Sequence, residues 1–219
     1  MKVLIVHAHP EPQSFNGALT RRAVEVLTAA GHEVQVSDLY AMNFDPVSDR
    51  RNFTTVKNDG FYHTQTEELH ATENHGFAPD LEVEMQKVEW CDTLIFQFPL
   101  WWFGVPAILK GWVDRVFAMG RAYGAGRMYD TGVFKGKRAI ASLTTGGPEE
   151  VYVEGGFTGD INVLLKPILR GMFAFTGFTV LPPFIAYAAG RVTDEQRVKY
   201  LDAWTERLRA IETTEPIHP

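Results

Sequence analysis

Residues 94–117, Leu-Ile-Phe-Gln-Phe-Pro-Leu-Trp-Trp-Phe-Gly-Val-Pro-Ala-Ile-Leu-Lys-Gly-Trp-Val-Asp-Arg-Val-Phe, constrain the fold more than any other stretch of the chain. Leu94, Ile95, Phe96 and Phe98 leave almost no polar face, which suits a strand covered on both sides, as in parallel α/β sheets. Pro99 has no N–H to donate and is expected to end the ladder. The turn Leu100–Phe103 follows, and a helix is expected from Pro106 to Phe117. Adjacent residues of a strand face opposite ways, so Trp101 and Trp102 cannot both point inward. They form an exposed apolar patch at a strand's carboxyl end, where open α/β sheets bind ligands. A turn packed under a neighbouring element or a second subunit is the alternative. We read this turn as the seat of a planar aromatic cofactor.

Elements alternate along the rest of the chain. Strands are expected at Lys2–His7, His32–Asp38, Thr93–Phe98 and Lys137–Thr144, with a last one within Phe178–Tyr187 broken by Pro182-Pro183. Helices are expected at Phe15–Ala30, Pro79–Trp90, Pro106–Phe117, Ile161–Phe175 and Thr193–Ile211, the last opened by the cap-like Thr193-Asp-Glu-Gln. Strands separated by helices imply a doubly wound α/β fold: a five-stranded parallel sheet with helices on both faces. The candidate strand order is 2-1-3-4-5, the flavodoxin-like arrangement, whose switch point lies between strands one and three. Residues 1–212 then form one domain, with 41–79 as a long inserted loop lacking periodicity and 213–219 as a frayed tail.

Composition narrows the function. A net charge of −6 argues against a nucleic-acid platform. The single cysteine, Cys91, excludes an internal disulfide and fits a reducing compartment. The apolar start Met1–Val6 is short for a signal peptide, and no uninterrupted apolar run reaches the ~20 residues of a membrane helix. A cytoplasmic protein with no membrane insertion is expected.

Three loops should meet at one sheet edge. The first runs from His7 through His9 and Ser14 to Phe15, Asn16 and Gly17, into a helix start that suits phosphate. It matches neither dinucleotide nor P-loop glycine fingerprints, and a plain connection capped by Ser14 explains the same residues. The second is the aromatic turn. The third, Thr144-Thr145-Gly146-Gly147-Pro-Glu-Glu-Val-Tyr152, lets backbone amides approach a ligand closely. His63, His70 and His75 match no familiar metal-ligand spacing, and no metal site is assigned.

Long matches in order give a resemblance over Met1 to about Ile211. They are Ser-Phe-Asn at 14–16, Ser-Asp-Leu-Tyr-Ala-Met-Asn-Phe at 37–44, Phe-Gln-Phe-Pro-Leu at 96–100 and Trp-Phe-Gly-Val-Pro-Ala-Ile-Leu-Lys-Gly-Trp at 102–112. Ala-Tyr at 122–123, Met-Tyr-Asp at 128–130, Thr-Thr-Gly-Gly at 144–147 and Gly-Asp-x-Asn-Val at 159–163 complete them. Together they resemble the NAD(P)H:quinone oxidoreductases of the DT-diaphorase type, within the flavodoxin-like flavoproteins. The resemblance implies FAD rather than FMN, NAD(P)H as co-substrate, a homodimer with active sites at the subunit interface, and two-electron ping-pong hydride transfer through flavin N5 to a quinone. It places His9, Ser14, Phe15 and Asn16 on the pyrophosphate side, with Leu100, Trp101, Trp102 and Phe103 cradling the ring. Thr144, Thr145, Gly146, Gly147 and Tyr152 would face the isoalloxazine, Tyr152 as the catalytic hydrogen-bond donor. Arg197 would lie near the adenine half, and Tyr123 and Phe175 would line the substrate pocket.

The chain departs from that pattern where relatives carry a histidine, here Thr158, and a second pocket tyrosine, here Ala125. Longer members also have a C-terminal extension that is absent. A Tyr–His pair therefore cannot operate, and the pocket is expected to be wider and less aromatic. A rival reading remains, because Ala-Tyr-Gly-x-Gly at 122–126 resembles ancillary regulatory subunits of glutathione-gated potassium efflux systems. A one-electron flavodoxin carrier fits less well, having no use for the 41–79 elaboration.

Overall fold

A computed structural model describes residues 1–217. The strands are β1 (Lys2–His7), β2 (Glu33–Asp38), β3 (Thr93–Pro99), β4 (Arg138–Thr144), β5 (Thr179–Val180) and β6 (Phe184–Ala186). The helices are α1 (Phe15–Ala29), α2 (Thr64–Asn74), α3 (Pro79–Trp90), α4 (Ala107–Val116), α5 (Ile161–Ile168) and α6 (Asp194–Arg209). The sheet is parallel in the order β2-β1-β3-β4-β5, with β6 also paired to β4.

Residue alternation along the strands sorts the core into two layers. Leu4, Val6, Leu94, Phe96, Phe98, Ala139 and Leu143 face α2, α3, α4 and α5, where Leu81, Met85, Trp112 and Leu165 meet them. Val3, Ile5, Ile95 and Ile140 face the other way, onto Leu19, Ala23 and Leu27 of α1 and Trp204 and Leu208 of α6. Both faces are covered, which is why these strands read as continuous apolar runs.

Three expectations need correction. The ladder does not stop before Pro99: Pro99 is the last residue of β3 and pairs with Thr144, and Leu100 N–H donates to the Thr144 carbonyl at 2.8 Å. Because Gln97 faces β1 and Leu100 faces β4, alternation turns the missing N–H of Pro99 toward the side where β1 has already ended. The last strand is broken at Pro182-Pro183 as expected, into β5 and β6, since two prolines can donate no ladder bonds. Part of α5's expected length, Leu169–Ala174, is π-helical. The tail is not frayed over Thr213–Ile217: Ile217 N–H donates to Val180 O at 2.9 Å, and the Arg138 guanidinium donates to the carbonyls of Glu212 and Thr214. Residues 218–219 of that expectation lie outside the described residues.

The 41–79 insertion contains α2, unseen by periodicity because its buried face is acidic. Glu67, Glu68 and Ala71 are its buried residues. Glu67 accepts from Lys57 N–H at 2.7 Å and Asn58 N–H at 2.9 Å, and Glu68 from Met119 N–H at 2.8 Å. The helix thus docks by satisfying loop amides, not by an apolar stripe. His63 caps its start and His75 its end, the latter with φ 51°.

Candidate active site

The carboxyl ends of β1, β3 and β4 carry the three loops to one edge, and two of them are joined by hydrogen bonds through α1. Asn16 Nδ2 donates to Thr144 Oγ1 at 2.9 Å, while Gln97 Nε2 donates to Asn16 Oδ1 at 2.9 Å. Ser14 caps α1, its Oγ accepting from Gly17 N–H at 3.1 Å. That leaves the Phe15 and Asn16 amides as first-turn N–H groups without intrahelical partners, suited to an anion. The Asn16 side chain is only 3% exposed and is engaged within the protein, so its contribution to a phosphate is its backbone N–H.

A cavity of about 370 Å³ sits at this helix start. Six expected residues line it, namely His9, Ser14, Phe15, Asn16, Thr144 and Arg197. Arg197 is held from α6 by bonds to Ala189 O and Asp194. Gln13, Ala18, Ala189 and Gly190 complete the wall; sequence reading missed them because nothing in their types marks a ligand.

The aromatic turn adjoins this cavity. His9 and Trp101 rings lie 6.0 Å apart. Trp101 and Gly104 exchange backbone hydrogen bonds at 3.1 and 3.0 Å, closing a turn whose two central residues, Trp102 and Phe103, have φ 50° and 61°. Such turns normally take Gly or Asn, because a Cβ is crowded there. Two bulky aromatics in this conformation mark strain of the kind concentrated at functional sites. Trp102 is 96% exposed, Phe103 52% and Trp101 42%. Leu100 leads into this turn and is partly buried against the core.

On the β4 loop, Thr145 is a brace: its N–H donates to Ala186 O and its Oγ1 to Gly147 O at 2.7 Å. A Cβ on Gly146 would meet no atom within 4 Å, so this position opens onto free space. One on Gly147 would lie 3.2 Å from Tyr152 Cε2, so the Tyr152 ring packs against Gly147. Tyr152 is 8% exposed, with its ring 6.0 Å from that of Tyr187. An exposed flat aromatic surface, open space above a glycine and a helix start at the far end match a flavin mononucleotide moiety in shape and chemistry.

Tyr123 and Phe175 pack on each other at 5.6 Å but line a different cavity, of about 420 Å³, with Gln65, Glu68 and Asp114. Neither His9 nor Tyr152 lines that cavity; each borders another. Gln65 Nε2 donates to the Tyr123 hydroxyl at 3.2 Å. Burial pushes the Tyr123 phenol above its ordinary value, and the neighbouring Glu68 carboxylate adds to the shift. Burial likewise pushes Glu68 up to about 7, Asp114 adding to the shift and the Met119 amide opposing it. Glu68 is a cavity group that periodicity could not have singled out.

Known proteins decide the family. A family described as having a flavodoxin-like fold matches residues 1–208. The chain belongs to that family. Its relatives include ribosyldihydronicotinamide dehydrogenase [quinone] of Pongo abelii, 45% identical over 99% of this chain and 94% of the relative. NAD(P)H dehydrogenase [quinone] 1 of Cavia porcellus is 45% identical over 99% of this chain and 79% of the relative. Among solved structures, a candidate quinone reductase of Klebsiella pneumoniae superposes with a TM-score of 0.96 at 44% identity, covering 99% of this chain and 87% of that one. The ancillary-subunit reading finds no support in these relatives.

Proposed function

We propose that this protein is a flavin-dependent quinone oxidoreductase, and that the strained, exposed Trp102–Phe103 turn beside the Gly146 opening carries its isoalloxazine. Bound flavin supplies the redox chemistry, taking a hydride from a dihydronicotinamide and passing it to the acceptor. The chain's part is to bind and orient. The α1 amides and Arg197 hold the phosphate end; Trp101, Trp102 and Phe103 hold the ring; the Gly146 and Gly147 loop leaves room for its edge. Tyr152, braced on Gly147, donates a hydrogen bond as charge gathers on ring or acceptor. FAD, with its adenine half along the Arg197 end of the cavity, is preferred over FMN because that cavity extends past the helix start to Ala189 and Gly190.

A homodimer completes the reading. Tyr123 and Phe175 form an aromatic wall in a cavity other than the one that His9, Asn16 and Thr144 line, and we assign it to the active site of the other subunit. A quinone, planar and apolar with two acceptor oxygens, suits an aromatic wall with a phenol at its edge. The hydride donor is left between two sources by the relatives' names, NAD(P)H and ribosyldihydronicotinamide. This chain covers 94% of the latter enzyme and 79% of the former, which favours including the riboside in the assay. The cytosol, where dihydronicotinamides are abundant, is the proposed location.

The test is to purify the yellow protein, release its cofactor for mass measurement, and follow anaerobic bleaching by NADH, NADPH and dihydronicotinamide riboside. Bleaching by one of them, reversed by a quinone, is expected, with parallel double-reciprocal lines in steady state. A colourless protein that takes up neither FAD nor FMN overturns the reading. Tyr152→Phe should lower turnover about tenfold to a hundredfold with flavin content unchanged, the effect of losing one donor to developing charge. Unchanged turnover removes Tyr152 from the chemistry.

A further inference from the structure

Gln97 sits on β3, 1% exposed, and is not one of the residues that line the cavity. Its amide nonetheless ends a chain of hydrogen bonds leading to the cavity wall. Gln97 Nε2 donates to Asn16 Oδ1 at 2.9 Å, which turns Asn16 Nδ2 toward Thr144 Oγ1, also at 2.9 Å. Asn16 and Thr144 are 3% and 7% exposed, so water does not compete along the chain. A threonine hydroxyl has one proton. With Asn16 donating to its oxygen, that proton points elsewhere, and Thr144 borders the cavity.

The opposite direction satisfies the same three groups. Gln97 Oε1 would accept from Asn16 Nδ2, Asn16 Oδ1 would accept from Thr144, and the Thr144 proton would be spent inside the protein. The two arrangements differ in one property of the cavity, namely whether Thr144 offers a donor or only an acceptor lone pair. The phosphate oxygens and ring carbonyls of a flavin nucleotide only accept, and its ribityl hydroxyls can accept as well as donate, so a donor at Thr144 would suit any of them.

We propose that Gln97 is a positioning residue that fixes the direction of this chain and so presents Thr144 to the flavin as a hydrogen-bond donor. The proposal rests on the flavin reading and concerns α1, β3 and β4 at their meeting point. No residue of the chain need move; only the polarity of two amides is set.

The experiment is a double-mutant cycle on the apoprotein, titrated separately with FAD and FMN and read by quenching of flavin fluorescence. Thr144→Val should weaken flavin binding about tenfold, the worth of one hydrogen bond of ~1.4 kcal/mol. Thr144→Ser should restore it to within about twofold. Gln97→Met, which frees the Asn16 amide to turn over, should weaken binding about threefold to tenfold. The double variant should bind no worse than Thr144→Val alone, because Gln97 acts only through that hydroxyl. Multiplying losses, or a Gln97→Met protein with wild-type affinity, overturns the proposal. Should Gln97→Met fail to fold, the Thr144→Val and Thr144→Ser pair still decides: equal affinities for the two remove the donated bond and the proposal with it. Wild-type protein that binds neither flavin would instead sink the reading of the site itself.

Discussion

Gly17→Ala should cost about a hundredfold in flavin affinity and ~1–3 kcal/mol in stability, the reverse of what helix propensity alone implies. Ala is favoured over Gly within a helix by about 1 kcal/mol, so an unobstructed substitution would stabilise. Here a Cβ on Gly17 would stand 2.2 Å from the Pro12 carbonyl oxygen and 3.0 Å from its carbon. That carbonyl also accepts from Arg21 Nη1 at 2.6 Å, so it is not free to swing aside. The loop must lift off α1, and with it His9, Gln13 and Ser14, which wall the cavity at the helix start. Gly111→Ala is the matched control. Its Cβ would fall 2.2 Å from Pro46 O, on α4 and away from that cavity. It should lower the melting temperature comparably while folded protein keeps its flavin affinity. Calorimetric melting and flavin titration of both variants check the pair. Wild-type affinity in folded Gly17→Ala protein would show that the loop does not hold the cofactor.

Glu68→Gln should stabilise the protein by ~2–3 kcal/mol at pH 8 and by nearly nothing at pH 4.5. The sign follows from linkage. Folded Glu68 titrates at about 7 and the unfolded side chain at about 4.5, so between these the folded state holds a proton that the unfolded chain has released. Glu68 therefore lends its full support to folding below about 4.5, and that support drains away as pH rises through 7. A shift of this size, at 1.36 kcal/mol per pH unit, amounts to ~3 kcal/mol before relaxation of the site. Glutamine keeps the volume and the bond from the Met119 amide but carries no charge to desolvate. Urea unfolding at the two pH values, with flavin saturating, gives the comparison. A difference between variant and wild type that is the same at both would mean the carboxyl titrates normally. The location has a further meaning: a carboxyl held near neutral pH lies in the same cavity as Tyr123 and Phe175, where an acceptor is proposed to bind.

The loops of the candidate site were open to sequence reading because loops in doubly wound sheets follow strand ends, and strand ends follow hydrophobic runs. The aromatic turn, the Ser14 cap and the Thr-Thr-Gly-Gly loop lay where that logic put them. Roles within those loops were less legible. Asn16 and Thr145 are spent on bracing, which depends on neighbours 128 residues away in one case and two residues away in the other.

Local residue pattern, a property of period and composition, was sufficient for the alternating elements, the two covered faces and the strand order. It could not reach α2, because carboxylates that bind loop amides carry no hydrophobic period, nor the docking of the tail along β5. The burial of the Glu68 carboxyl and the polarity of the Gln97–Asn16–Thr144 chain arise from contacts between segments distant in the chain. Such contacts exist only once the sheet has closed and excluded water, and the surrounding fold holds each of them against its local cost.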